Sequence, residues 1–194
     1  MATRNSSSRR STGRSGTGTR TASRSGARAR TPDAIALLRA DHKLVSELFE
    51  QFEKTRSANR KRGIVEQICQ ELTVHAQIEE EIFYPAFKEA LRDKELVPEA
   101  RVEHETLKSL IAQVQGAEPD GEEYDAKVKV MGEYVKHHVK EEQGEMFKKA
   151  KASRLDLQAL GEQLMQRKQE LMGELGGEET GELATEDMGQ SDDR

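Results

Sequence analysis

The sequence predicts an all-α protein: an up-down-up-down four-helix bundle with a short fifth helix, set between disordered N- and C-terminal tails. Three observations predict it. Apolar residues recur at steps of three and four through four stretches of about 17 to 30 residues, and no strand-like alternation competes. Short turn signals separate those stretches, which favours antiparallel neighbours. The composition fits helices with charged outer faces: of 194 residues, 34 % are hydrophobic and 35 % charged, with four Pro and no Trp.

Residues 1–30 hold eight Arg, no Lys and no acid among Ser, Thr, Gly and Ala. Without Leu, Ile, Val or aromatics they cannot bury enough surface to offset the entropy of ordering. They are expected to be a disordered basic arm. A solvated tail, an organelle transit segment and weak contact with polyanions are its three readings; specific nucleic-acid binding is not expected, since no aromatics are interleaved with the Arg. Residues 173–194 are Gly- and acid-rich and form the expected disordered tail. The bundle and fifth helix should occupy 31–172.

Thr31-Pro32-Asp33 reads as a helix start, with Thr as N-cap and Pro at the first helical position. Ile35, Leu38, His42, Val45, Phe49 and Phe52 follow as one stripe, and the helix should fade near Thr55 to Asn59. The second stripe is Ile64, Ile68, Leu72, His75, Glu79 and Ile82. Pro85, which lacks a backbone donor, should kink that helix after Tyr84. Asp93 to Pro98 reads as a connection. The third helix, from about Glu99 to Gln115, carries His104, Leu107, Ile111 and Val114 and ends at Gly116. Glu118-Pro-Asp-Gly121 is a turn, and Asp120 with Glu123 forms a capping box for the fourth helix. Its stripe is Tyr124, Val128, Met131, Val135, His138, Glu142 and Met146. The fifth helix should run from Ser153 to about Met172, with Leu157, Leu160, Leu164 and Leu171 on one side.

The polar residues inside these stripes carry the chemistry. His75-x-x-x-Glu79 and His138-x-x-x-Glu142 each place an imidazole and a carboxylate on one helix face, and each Glu is followed five positions later by an aromatic, Tyr84 or Phe147. Asp41-His42 precedes the first pair by 33 residues and Glu103-His104 the second by 34, counted His to His, so the chain reads as a duplicated two-helix unit. A lone inward His is ordinarily a core residue, but an inward unpaired carboxylate is costly. Four inward His and two inward Glu suit a pair of divalent ions, iron or manganese before zinc, with coordination positions left for small ligands. His138 lies in line with Met131 and Val135 and is preferred to His137. Tyr84 and Tyr134 are expected to pack or hydrogen-bond near the site. Glu80, Glu81, Glu103, Glu141 and Glu145 read as a solvated acidic rim from which any could orient a ligand His. Cys69 is expected to be a packed thiol.

His42, His75-x-x-x-Glu79, His104 and His138-x-x-x-Glu142, in that order and spacing over about residues 31–150, resemble the hemerythrin family, in particular the bacterial HHE cation-binding domains. The resemblance implies two non-heme iron ions in a four-helix bundle, His42 and His75 serving one, His104 and His138 the other, with Glu79 and Glu142 as bridges. Oxygen-carrying members have a His-x-x-x-His pair on the third helix, where this chain has Ala100 and Lys108 four positions either side of His104. Their His-x-x-x-x-Asp is matched here only by His137 and Glu142.

The expected function is therefore a cytoplasmic di-iron protein that binds, senses or reacts with dioxygen, peroxide or nitric oxide, or that senses or stores iron. Its partner is a small diatomic or peroxide ligand, with no membrane involvement, since no apolar run approaches a bilayer span. The sequence leaves open whether the protein turns over a substrate. The competing expectation is a helical interaction protein acting through its basic arm, its metal structural or absent.

Overall fold

The computed structural model describes residues 31–119, 121 and 123–182, with side chains as far as Leu175. The expected basic arm, the tail from residue 183 and Asp120 of the expected capping box lie outside the described residues. Helices α1 (Ala34–Lys54) and α2 (Ala58–Ile78) form the first antiparallel pair, with α2 carried through a π-helical turn (Glu79–Phe83) into α3 (Tyr84–Leu91). The second pair is α4 (Leu96–Gln115) and α5 (Tyr124–Glu141), with α5 carried through a second π-helical turn (Glu142–Met146) into α6 (Phe147–Ala152). Helix α7 (Leu157–Glu182) completes the fold. Helix α1 packs on α2 and α5, and α4 on α2 and α5, which closes the four-helix bundle. Among the described residues there is no strand, and no helix is long and apolar enough to cross a membrane.

Two apolar clusters fill the bundle. One contains Ile35, Leu38, Ile78, Phe83, Phe87 and Phe147, together with Leu160, Leu164 and Leu171 of α7. The other contains Val45, Phe52, Ile68, Leu72, Leu107, Ile111, Val128 and Met131. On α1 the chain passes from Leu38 in the first cluster through His42 to Val45 in the second, and on α4 from Ala100 through His104 to Leu107. The inward polar residues thus form a layer between two apolar ones.

Several local expectations are corrected. The N-cap of α1 is Asp33, not Thr31: its carboxylate accepts from the Ala36 N–H at 2.8 Å, while the Thr31 carbonyl accepts from Gln158 Nε2. Helix α4 starts at Leu96, earlier than Glu99, because Asp93 takes the Val97 N–H at 2.8 Å and Pro98 falls in the first turn, where no donor is needed. The helix carrying Pro85 loosens before it rather than after Tyr84. Its π-turn begins at Glu79, where the Tyr84 N–H bonds to the Glu79 carbonyl five residues back. A matching bond joins Phe147 N–H to the Glu142 carbonyl. Glu118 to Gly121 is the expected turn, closed by a 2.9 Å bond from Gly121 N to Glu118 O.

The fifth helix is not short. It begins at Leu157, not Ser153, with Asp156 accepting from Ala159 N at 3.0 Å, and its 26 residues extend past Met172 into the stretch expected to be tail. The run of strong helix formers from Glu162 to Met172 carries it through Gly173. It packs along α1, α2 and the first π-turn. The approach to α1 is close: a Cβ on Gly161 would lie 2.3 Å from the Pro32 carbonyl oxygen and 2.7 Å from the Asp33 carbonyl carbon.

Two glycines of α7 should therefore respond to alanine with opposite signs. Gly161→Ala should destabilise the protein by about 1–3 kcal/mol, because rigid backbone must move aside. Gly173→Ala, with nothing within 4 Å of its Cβ, should stabilise it by up to about 1 kcal/mol. Urea unfolding of the two variants checks this, and an unchanged midpoint for Gly161→Ala would contradict the docking of α7 on α1.

Candidate metal centre

Each long helix of the bundle contributes one inward imidazole, and all four are buried, as are Glu79 and Glu142 at 0 % and 3 % exposure. The rings meet in pairs. His42 Nε2 lies 3.0 Å from His75 Nε2, and His104 Nε2 lies 3.4 Å from His138 Nε2. Glu79 spans the pairs, with Oε1 at 3.3 Å from His75 Nε2 and Oε2 at 3.4 Å from His104 Nε2. Glu142 reaches His42 Nε2 at 3.2 Å. His42, His75, Glu79 and Glu142 offer ligand atoms within 4.8 Å of one another, as do Glu79, His104 and His138. All six sequence-predicted ligands thus come together in one layer.

The π-turns explain how a His-x-x-x-Glu helix face also presents the aromatic that follows. Adding a residue to the turn brings position i+5 under position i. Tyr84 therefore lies beside Glu79 and donates its hydroxyl to Glu79 Oε2 at 3.0 Å, with His104 Nε2 3.3 Å from the Tyr84 hydroxyl oxygen. Phe147 takes the equivalent place after Glu142 and stacks on His42, ring centroids 5.9 Å apart. Tyr134, half-buried on α5, makes no such bond among the described residues.

The outer nitrogens form a closed circuit around the bundle. Asp41 on α1 faces His75 Nδ1 at 3.5 Å, Glu80 on the first π-turn faces His104 Nδ1 at 2.9 Å, and Glu103 on α4 faces His138 Nδ1 at 2.6 Å. The Gln143 side-chain amide on the second π-turn lies 2.9 Å from His42 Nδ1. Each orienting residue is the sequence neighbour of one inward ligand candidate and holds the imidazole of the next helix. Carboxylates facing Nδ1 favour a proton there on His75, His104 and His138, which leaves Nε2 of those rings to face the layer as a metal requires, whereas the Gln143 amide nitrogen donates to His42 Nδ1. Glu80 and Glu103 are thus more than rim. Asp41 and Gln143 had no assigned role in the sequence, although the repeated pairs Asp41-His42 and Glu103-His104 were its signal. Glu81, Glu141 and Glu145 stay on the outside, paired with Arg167, His137 and Lys149. The His137 side chain is 59 % exposed and faces away from the layer.

The electrostatics are those of a site built for cations. Among the described residues, Glu79 Oε1 and both Glu142 carboxylate oxygens are buried with no well-directed hydrogen bond, although His75 and His42 Nε2 lie 3.3 and 3.2 Å away. Burial and then the charge of Glu79 push the Glu142 carboxyl well above the usual range. Burial also penalises ionised Glu79, but His75 and His104 outweigh it and hold its pKa well below the usual range. Burial and the neighbouring His75 lower His42 to about 3, whereas at His75 the opposing pull of Glu79 and Asp41 overcomes burial and raises it to about 9. Cys69 is a packed thiol, raised to about 11 by burial and then Glu66. Four imidazole Nε2 atoms and two carboxylates converging in one buried layer fit divalent cations there.

Residues 33–150 match the family model described as the hemerythrin HHE cation binding domain. The chain belongs to that family. The HHE domain is a metal-binding helical bundle, and its match covers the layer of His and Glu described above. A crystal structure of a hemerythrin HHE cation binding domain-containing protein from Mycobacterium kansasii superposes with a TM-score of 0.66 at 20 % identity, over 80 % of this chain and 94 % of that one, and shares the fold. A curated protein of Nostoc sp. named DNA nickase is 27 % identical over 111 residues, 57 % of this chain; the chain spans about a third (31 %) of that relative's length.

Glu142→Gln should separate the two demands placed on the layer. A carboxyl with a raised pKa in the folded state stabilises it only while protonated, so the metal-free HHE domain should lose stability as pH rises above the ordinary carboxylate range. The neutral amide removes that loss. Metal-free Glu142→Gln should unfold near neutral pH at the same or higher temperature than the unaltered chain, and the metal-loaded variant at a lower one. Thermal unfolding with and without chelator checks both signs.

Proposed function

We propose that the protein is a non-heme di-iron protein that binds, senses or reacts with dioxygen, peroxide or nitric oxide. His42 and His75 would hold one iron and His104 and His138 the other, with Glu79 and Glu142 shared between them. The single observation that carries this is Glu79, fully buried, with Oε1 3.3 Å from His75 Nε2 of one pair and Oε2 3.4 Å from His104 Nε2 of the other. Two imidazoles per ion and shared carboxylates leave positions unfilled on each, and iron so held supplies redox chemistry toward small oxygen and nitrogen species.

A groove of about 740 Å³ between α1 and α5 is walled by Phe49, Phe52, Val128, Val135 and Val139, and His42 is the inward ligand candidate that lines it. Gly132 keeps it narrow at Phe49, whose ring lies 3.1 Å from where a Cβ would stand. On the other side, burial and then the nearby carboxylates hold the Tyr84 hydroxyl well above its ordinary pKa, so it stays a neutral donor to Glu79. Ala100 and Lys108, in place of a further family imidazole, add no ligand to the His104 side: Lys108 Nζ is bound to Glu80 at 3.0 Å. That vacancy favours reaction or sensing over oxygen carriage.

The relative named DNA nickase favours a second reading, in which the eight-Arg arm brings the domain to a polyanion. Deleting residues 1–30 separates the readings: loss of DNA retention or plasmid nicking with metal content unchanged would give the arm its own role.

The leading reading predicts about two irons per chain and oxo-bridged ferric absorption after anaerobic iron loading and air exposure. Both should fall sharply in His75→Ala and in Glu79→Ala. Metal analysis with visible spectroscopy checks it, and a colourless wild-type protein that takes up no iron would overturn it.

A further inference from the structure

Two of the three orienting carboxylates are themselves held by a lysine. Glu80 presents Oε1 to His104 Nδ1 and Oε2 to Lys108 Nζ at 3.0 Å. Asp41 presents Oδ2 to His75 Nδ1 and Oδ1 to Lys168 Nζ at 2.8 Å. The chemistry of the two triads is the same, but the source of the lysine differs. Lys108 sits on α4, one turn from His104, with its side chain 45 % exposed. Lys168 comes from α7, beyond residues 33–150, and is only 17 % exposed.

Lys168 occupies an unexpected place on its helix. It lies four residues after Leu164 and three before Leu171, both buried, so it stands in the stripe where packing alone would put an apolar side chain. An ammonium drawn this far from water is unfavourable unless paired. The pairing comes from Asp41 and from Glu71, whose Oε2 lies 3.2 Å from Lys168 Nζ. Neighbouring contacts fix the same helix: Gly161 abuts the start of α1, and Arg167 binds Glu81 at 2.8 Å, two residues past Glu79.

We infer that Lys168 is a positioning residue for the metal centre. It fixes the carboxylate of Asp41, which orients the ring of His75, so the docking of α7 and the occupation of the His42–His75 side are coupled. Each favours the other to the same degree, because linkage between two binding equilibria is reciprocal. The inference rests on His75 being a metal ligand, as proposed above.

The test uses the full chain, titrated anaerobically with Co(II), whose visible bands report its ligands. Lys168→Met should weaken Co(II) binding by about three- to tenfold, less than the loss usual for a group that orients a ligand directly, and should shift the bands. Lys168→Arg should restore most of both. Asp41→Asn should change affinity and bands in the same direction, and its combination with Lys168→Met should add little to either alone. Amide exchange in residues 157–175 should slow on metal binding in the unaltered chain and respond less in Lys168→Met. Wild-type affinity and spectrum in Lys168→Met, with only a lower unfolding temperature, would make Lys168 structural and overturn the inference. Failure of the unaltered chain to bind Co(II) would instead overturn the metal-centre reading, and the coupling with it.

Discussion

Two carboxyl groups, on Glu79 and Glu142, lie in the middle of an apolar bundle, and three of their four oxygens have no well-directed hydrogen bond among the described residues. A buried carboxyl oxygen left without a donor costs a fold about 1–3 kcal/mol. Four imidazole Nε2 atoms converge on the same space, in pairs 3.0 and 3.4 Å apart. Divalent cations remove every part of this cost together. The rest of the molecule can be understood as what is needed to hold such a layer ready: two apolar clusters flank it, and a circuit of Asp41, Glu80, Glu103 and Gln143 orients each imidazole from the preceding helix. Because each link crosses between helices, the orientation of any one ring depends on the packing of its neighbour.

The circuit has one link that differs. Three imidazoles face carboxylates at Nδ1, and His42 faces the Gln143 amide. His42 also lies beside the α1–α5 groove, while α7 covers the α1–α2 flank through Leu160, Leu164, Leu171 and the Lys168 pair. The bundle supplies the ligands; its surroundings decide which side is open.

The ligand layer was legible in the sequence because helical spacing forces it: residues three and four apart share a face, and His42, His75, His104 and His138 each interrupt an otherwise apolar stripe. The π-turns were not read from the same periodicity. One inserted residue leaves each flanking stripe intact and shifts only its phase, so Ile82 was expected inward where Phe83 and Tyr84 are. The recurring aromatic five residues after each Glu was the available sign. The orienting residues were half legible, since an acid beside a ligand His resembles any solvated acid until the neighbouring helix is in place. At the α1 start, Thr31 and Asp33 are both good caps, and local pattern does not choose between them; the docking of Gln158 on the Thr31 carbonyl does. The extent of α7 followed from propensity through Gly173, which reads as a stop.

The central claim is that two metal ions sit between the imidazole pairs and share Glu79. Anomalous diffraction from crystals of the iron-loaded protein, collected at the iron edge, tests it most directly. The account predicts two peaks per chain, about 3.5–4 Å apart, one beside His42 and His75 and one beside His104 and His138, with the Glu79 carboxylate between them. A single peak in the layer, or peaks confined to the outer cluster of Glu103, His137 and Glu141, would contradict it.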